Sequence, residues 1–253
     1  GKTTTLYTML DILNTPDVNI STVEDPIEYQ MARINQTQVK QEIGMTFANG
    51  LRSLLRQDPD IIMVGEIRDG ETVSLAINAS LTGHLVLSTI HTNSAAGAIP
   101  RMIDMGAEPF LIISTVKVVI AQRLVRKLCA EKEEYFPDEA ELQALGRIVD
   151  MDRMLDLLKK ENVVAPDATW PKIKLYRAKK SSDCEDGYSG RVGIHEVLKM
   201  SSAIKELILK HASEDQIEEQ AKKEGMMTMI EDGIMLVVRG QTTTEEVLRV
   251  VSE

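Results

Sequence analysis

The sequence predicts an α/β fold built on a central sheet of parallel type. Three observations carry that reading. Segments at 19–23, 60–64 and 84–89 have the length of strands and read as buried, and the short apolar run at 60–64 fits a parallel strand buried on both faces. Between them, at 47–55 and 71–81, apolar residues recur at helical spacing, so strand and helix alternate. Each apolar run also ends in polar residues: Glu24-Asp25, Gly65-Glu66 and His91-Thr92-Asn93. The carboxyl ends of such strands are where open α/β sheets place ligand chemistry.

Bulk properties bound the alternatives. A chain of 253 residues can hold one large or two modest domains. Hydrophobic residues make up 43% and charged residues 27%, the balance of an ordinary soluble globular protein. The net charge of -10 argues against nucleic-acid binding over the whole surface, though not against a local basic groove. The longest apolar run, 110–121, is interrupted by Lys117 and falls short of the ~20 residues of a membrane span. Two cysteines, Cys129 and Cys184, make no disulfide framework and point to a reducing compartment. The chain opens on Gly1-Lys2-Thr3 without an initiator Met. That opening reads as the end of a phosphate-binding loop whose first residues lie upstream, so the chain reads as a fragment and the lack of a signal peptide says nothing.

In order, Gly1-Lys2-Thr3-Thr4-Thr5 leads into a helix on which Leu6, Met9, Leu10 and Leu13 share a stripe. A complete glycine-x4-glycine-Lys-Thr loop would wrap phosphates with backbone N–H groups, set Lys on the β/γ-phosphates and Thr on Mg²⁺. Three residues of it are a weak signal, and a plain helix start is the simpler reading. After the strand at 19–23 come Glu24, Asp25 and Glu28, three carboxylates in five residues with Pro26 ending the strand. In isolation these would be a solvated turn. Residues 31–40 alternate like a hairpin and carry Arg33 and Lys40. On the helix at 47–55, Arg52 and Arg56 lie four apart on one face. The strand at 60–64 delivers Glu66 to the same crevice as Lys2 and Thr3. His84 and His91 flank the strand at 84–89; one such histidine would be structural, but two at strand ends point to a site.

The chain then reads as helical over 95–105 and 111–124. Its character changes after Arg126. Residues 130–186 are highly charged, hold the only tryptophan, Trp170, and include a helix at 151–160, as a small inserted subdomain would. A strand at 191–198 follows, then helices at 204–210, 214–223, 227–238 (ended by Gly240) and 243–251. Met226, Met227, Met229 and Met235 read as core filler.

Taken together, GKTTTLY, TVEDPIEY, GLRSLLRQDPDIIMVGEIRD, TGHLVLSTIHTN, RLVRKLC, GYSGRVGIHEVL and GMMTMIEDGIMLVVRGQTTTEEVL resemble the secretion-superfamily ATPases of bacterial type II secretion and type IV pilus assembly, over essentially the whole chain. The resemblance implies a RecA-like P-loop NTPase core at 1–126, a small insert subdomain of degenerate metal-binding type at 127–190, and a C-terminal strand and helical subdomain at 191–253. It implies ATP and Mg²⁺ as cofactors, with Gly1, Lys2, Thr3 and Thr4 on the phosphates and Thr3 on the metal. Glu28 is then the residue that activates water, and Glu66 a partly water-mediated Mg²⁺ partner. Gly65 stands where many NTPases carry a metal-linked Asp. Glu24 and Asp25 support the site, His91 and His84 sense the γ-phosphate, and Arg52 and Arg56, or Arg33, reach a neighbouring subunit's phosphates.

The family's paired Cys-x2-Cys zinc motif is incomplete. Lys132 and Ser181 stand where partners of Cys129 and Cys184 would be, so the resemblance implies no zinc and two vestigial free thiols. The implied assembly is a homo-hexamer in the cytoplasm, peripheral to the inner membrane. It would act with an inner-membrane platform protein and a membrane-associated adaptor, on pilin or pseudopilin machinery and not on nucleic acid. A retraction motor of the same superfamily and a non-hydrolysing nucleotide-binding subunit are the alternatives.

Overall fold

The computed structural model describes residues 1–182 and 184–252. They divide into two units, residues 1–119 with 198–225 and residues 120–197 with 226–253. Two of these cuts fall inside long strands, at 119/120 and 197/198.

The first unit opens with α1 (Lys2–Leu13), β1 (Ile20–Glu24), β2 (Ile34–Gln38), α2 (Phe47–Leu54), β3 (Ile61–Ile67), α3 (Gly70–Leu81), β4 (Leu85–Ile90), α4 (Ala98–Asp104) and α5 (Pro109–Thr115). Its four strands form one sheet in the order β2-β1-β3-β4, and every pairing is parallel. Alternation along β3 sends Ile61 and Met63 to one face, where they pack with Leu6, Tyr7 and Leu10 of α1. Ile62 and Val64 go to the other face, against Phe47, Leu51 and Leu54 of α2 and Ala76 and Ala79 of α3. Both faces of β3 are therefore covered, which is why its run from Ile61 to Val64 is apolar throughout. Side-chain caps start the two helices behind the sheet: Asn49 N–H donates to Thr46 Oγ1 (3.2 Å) and Thr72 N–H to Asp69 Oδ1 (2.8 Å).

Three expectations change here. The segment 31–40 is no hairpin: β2 runs parallel to β1, from Ile20 opposite Ile34 to Glu24 opposite Gln38. Alternation marks a strand and leaves its direction open. The strand at 84–89 is an edge strand, only partly covered, with Leu85 45% exposed. The helix over 111–124 stops at Thr115, and Val118–Leu128 is β5. The β-branched run Val116, Val118, Val119, Ile120 favours the extended chain there.

The second unit contains β5, β6 (Lys132–Tyr135), α6 (Glu139–Gly146), α7 (Met151–Lys160), β7 (Leu175–Ala178) and β8 (Tyr188–Lys199). The chain then supplies α8 (Ser202–Leu209) and α9 (Glu214–Lys223) to the first unit, and α10 (Met229–Val238) and α11 (Thr244–Val251) to the second. β5 pairs with β8, and β6 with β7 in antiparallel register from Lys132 opposite Ala178 to Tyr135 opposite Leu175. Val125, Met154, Leu158, Trp170, Ile194, Ile234, Met235 and Val247 share its core. Of the four methionines read as core filler, Met226, Met229 and Met235 are buried and Met227 is partly buried against the same core. The free-thiol expectation fails: Cys129 and Cys184 form a disulfide with their Cα atoms 6.7 Å apart. Spacing along the chain hid this, because β6 and β7 pair across the intervening sequence and return residue 184 to the neighbourhood of residue 129.

Candidate active site

β3 continues past its apolar run through Gly65 and Glu66 to Ile67, so Glu66 sits on the strand itself. The ladder to β4 shifts register between Val64 and Ile67. Hydroxyls of β4 satisfy the carbonyls this exposes: Ser88 Oγ donates to Val64 O and Thr89 Oγ1 to Gly65 O, each at 2.7 Å. A Cβ at Gly65 would lie 3.2 Å from Val23 O and 3.3 Å from Glu24 Cα. The backbone of β1 occupies the space an Asp would need there, and the acidic function at this strand end falls to Glu66.

The Glu66 carboxylate is 14% exposed and engaged through both oxygens. One oxygen accepts from Arg68 Nε and Nη2, both at 2.6 Å, and the other meets His91 Nε2 at the end of β4. The hydrogen bond and charge of Glu66 raise the pKa of the Arg68 guanidinium. Arg68 was not singled out from the sequence; it lies just past the end of β3, where strand alternation gives no guide to its direction, and only the tertiary structure sets it on Glu66.

Glu24, the last residue of β1, is buried at 2% exposure. Its carboxylate accepts from Tyr7 Oη, from Thr22 Oγ1 (2.5 Å) and from Gln36 Nε2 (3.1 Å). Those donors compensate a charge that burial would otherwise penalise. Burial, reinforced by Glu24, pushes the Tyr7 phenol up to about 12. Glu24 thus faces the interior, and its contribution is to hold neighbouring elements. Asp25 and Glu28 are exposed on the following loop, and Glu28 N–H donates to Tyr7 Oη at 3.3 Å. Tyr7 was missed because an aromatic on an apolar helical stripe reads as core; only the tertiary structure supplies partners for its hydroxyl.

At the start of α1, Gly1 is the N-cap, with no side-chain cap and no acidic residue in the first turn, whereas α2, α3, α7 and α9 all carry side-chain caps. Lys2 and Thr4 are exposed and Thr3 is half-buried. Uncapped N–H groups beside a lysine suit a phosphate, and the Thr3 hydroxyl and Glu66 carboxylate are the hard oxygen donors magnesium takes. Among the described residues no group of three or more His, Cys, Asp or Glu gathers as a metal-holding cluster. Magnesium bound with a nucleotide asks for only one or two carboxylates, so the donor set fits it.

The other candidates are placed differently. His84 lies at the amino end of β4, the opposite end from His91. Its Nδ1 bonds Ala79 O at 2.9 Å and Thr82 Oγ1 at 3.1 Å, which ties off α3. The parallel sheet therefore separates the two histidines. Arg52 pairs with Glu71 and donates to Asn49 Oδ1 (3.1 Å). α2 ends at Leu54, so the exposed Arg56 lies beyond the helix and not on a shared face. Arg33 takes a left-handed backbone (φ 62°) and its Nη2 donates to Asn14 O at 2.9 Å.

A parallel sheet covered on both faces, with its polar cluster at the strands' carboxyl ends, defines a RecA-like α/β core. Within that class the chain belongs to the family described as Type II/IV secretion system protein, whose model matches residues 1–249. It is 50% identical to the Type II secretion system protein E of Xanthomonas campestris pv. campestris, covering 100% of this chain and 42% of that protein. The Type II secretion system ATPase E of Vibrio cholerae serotype O1 is 48% identical over 100% of this chain and 46% of its own length. The Type IV pilus assembly ATPase PilB of Pseudomonas aeruginosa is 44% identical, over 100% and 42%. The chain thus spans under half the length of these curated relatives. Among solved structures, the pilus retraction motor PilT with bound ADP superposes with a TM-score of 0.67 at 28% identity, covering 98% of this chain and 57% of that one.

Proposed function

We propose that this chain is the catalytic part of a magnesium-dependent ATPase that powers type II secretion or type IV pilus assembly. The observation that carries the reading is the Glu66 cluster: a carboxylate at the carboxyl end of a central parallel strand, held by Arg68 and His91. The ATPase names borne by relatives at 48% and 44% identity support the same activity.

Phosphoryl transfer to water needs positioning and charge neutralisation more than covalent help. Magnesium, bound with ATP, would neutralise the β- and γ-phosphates. Lys2 would bind those phosphates, and Thr3 and Glu66 would hold the metal, Glu66 partly through water. Glu28, exposed on its loop, accepts the proton of the attacking water. His91 touches Glu66 and so registers the γ-phosphate. Arg52, or Arg56, serves the neighbouring subunit of a homo-hexamer. The Arg52–Glu71 pair is no obstacle, since both side chains are about half exposed and such a pair is worth about 0–1 kcal/mol. The assembly acts at the cytoplasmic face of the inner membrane, on a platform protein and its adaptor. Retraction is the second reading, supported by the PilT fold at lower identity.

The test is steady-state ATP hydrolysis with magnesium by the full-length protein. Wild type turns over, and Glu28→Gln lowers kcat about a hundredfold or more with nucleotide affinity retained. Wild-type turnover in that variant sinks the assignment of Glu28. Absence of hydrolysis in the wild type leaves a nucleotide-binding subunit instead.

A further inference from the structure

We infer that the phenol of Tyr7 is a positioning group for this site, fixing the Glu28 segment against the helix that begins with Lys2 and Thr3. The inference rests on the reading of Glu28 as the base.

Tyr7 lies among Leu6 and Leu10 on the buried stripe of α1 and is 1% exposed. For packing alone a Phe would serve, because the ring fills the space. The hydroxyl is the surplus, and burying one without partners costs free energy. Here its bonding capacity is used fully: it donates to the Glu24 carboxylate, and it accepts from Glu28 N–H (3.3 Å) and Gln36 Nε2 (3.4 Å). One oxygen therefore joins α1, the end of β1, β2 and the loop that carries Glu28. A second hold acts on the same loop. The ring of Tyr29, next to Glu28, packs edge-on against Tyr7 with centroids 4.6 Å apart and planes at 82°.

The arrangement solves a mechanical difficulty. A base on an exposed loop must meet a phosphate bound at the start of α1, and a shift of about 1 Å can cost a hundredfold in rate. Tyr7 ties both to one buried atom, early in the same helix that presents Lys2. Glu24 is the anchor of that tie, which explains why a carboxylate in the acidic segment is turned inward.

Tyr7→Phe in the full-length protein removes the tie and leaves the packing. Two readouts decide the inference. Amide exchange of the peptide 25–30 is expected to rise in the variant while exchange along α1 stays as in wild type. The kcat for ATP is expected to fall tenfold to a hundredfold with nucleotide Kd changed less than about twofold. Combining Tyr7→Phe with Glu28→Gln is expected to give no loss beyond that of Glu28→Gln alone, because both act through one carboxylate. Unchanged exchange overturns the inference, and so does raised exchange with wild-type kcat, which would make the tie purely structural. If the wild type itself does not hydrolyse ATP, the proposed activity is at fault, and the exchange readout still decides whether Tyr7 holds the Glu28 loop.

Discussion

Glu66 and His91 meet across the carboxyl ends of two neighbouring parallel strands, carboxylate to Nε2. The histidine is 70% exposed while the carboxylate is 14% exposed, so the pair has an open side and an anchored side. A charge arriving at Glu66 is felt at once by His91. Replacing His91 by Ala is expected to lower kcat about a hundredfold, the usual cost of losing one group aimed at developing charge. Steady-state kinetics beside nucleotide titration checks this, and equal losses in kcat and affinity would contradict it.

Gly65 is set by packing. A Cβ there would sit 3.2 Å from Val23 O and 3.3 Å from Glu24 Cα, so the β1 backbone must give by a few tenths of an ångström to admit one. Gly65→Ala is expected to destabilise the first unit by about 1–3 kcal/mol, the usual cost of overpacking, and Gly65→Asp by more. Denaturant unfolding of the variants measures it. A Gly65→Asp variant as stable as wild type would show that β1 can yield.

Glu246 gives the second unit an acid-sensitive joint. It is 2% exposed and accepts from Arg126 N–H (3.0 Å), Arg126 Nη2 (3.0 Å) and Arg249 Nη2 (2.7 Å). Burial opposes its ionisation, but the bonds from Arg249 and Arg126 prevail and hold its pKa down to about 2. A folded value below the ordinary 4.5 means the stabilisation is complete above pH 4.5 and is lost as pH falls towards 2. The amount is about 3 kcal/mol. Stability measured across that window should fall in the wild type, with a shallower slope in Glu246→Gln.

The Cys129–Cys184 bridge should be visible thermally. Closing a loop of 55 residues is worth about 4 kcal/mol on chain entropy. Reductant is expected to lower the Tm of the second unit, and Cys184→Ser to lower it equally while abolishing the effect of reductant. Two free thiols titrating in the folded, unreduced protein would rule the bridge out.

Much of the fold was legible because burial on both faces leaves a direct mark. Runs such as Ile61–Val64 must be apolar if helices cover both sides, and the helix Met151–Lys160 announces itself by periodicity. Misreadings came where one pattern serves two structures. Residues 34–38 alternate whether the strand runs parallel or antiparallel, and residues 118–124 are apolar enough for helix or strand until pairing with β8 decides.

By itself the sequence determined the alternation of strand and helix, the family, and which acids and histidines end the strands, because these depend on composition at fixed spacing. Tertiary structure alone decided which of them face one another. It turned Glu24 inward on to Tyr7, sent His84 to the far end of β4, placed Arg68 on Glu66 and joined Cys129 to Cys184. The reason is physical: hydrogen bonds and the disulfide form between side chains brought close by strand order and direction, and neither is encoded in spacing along the chain.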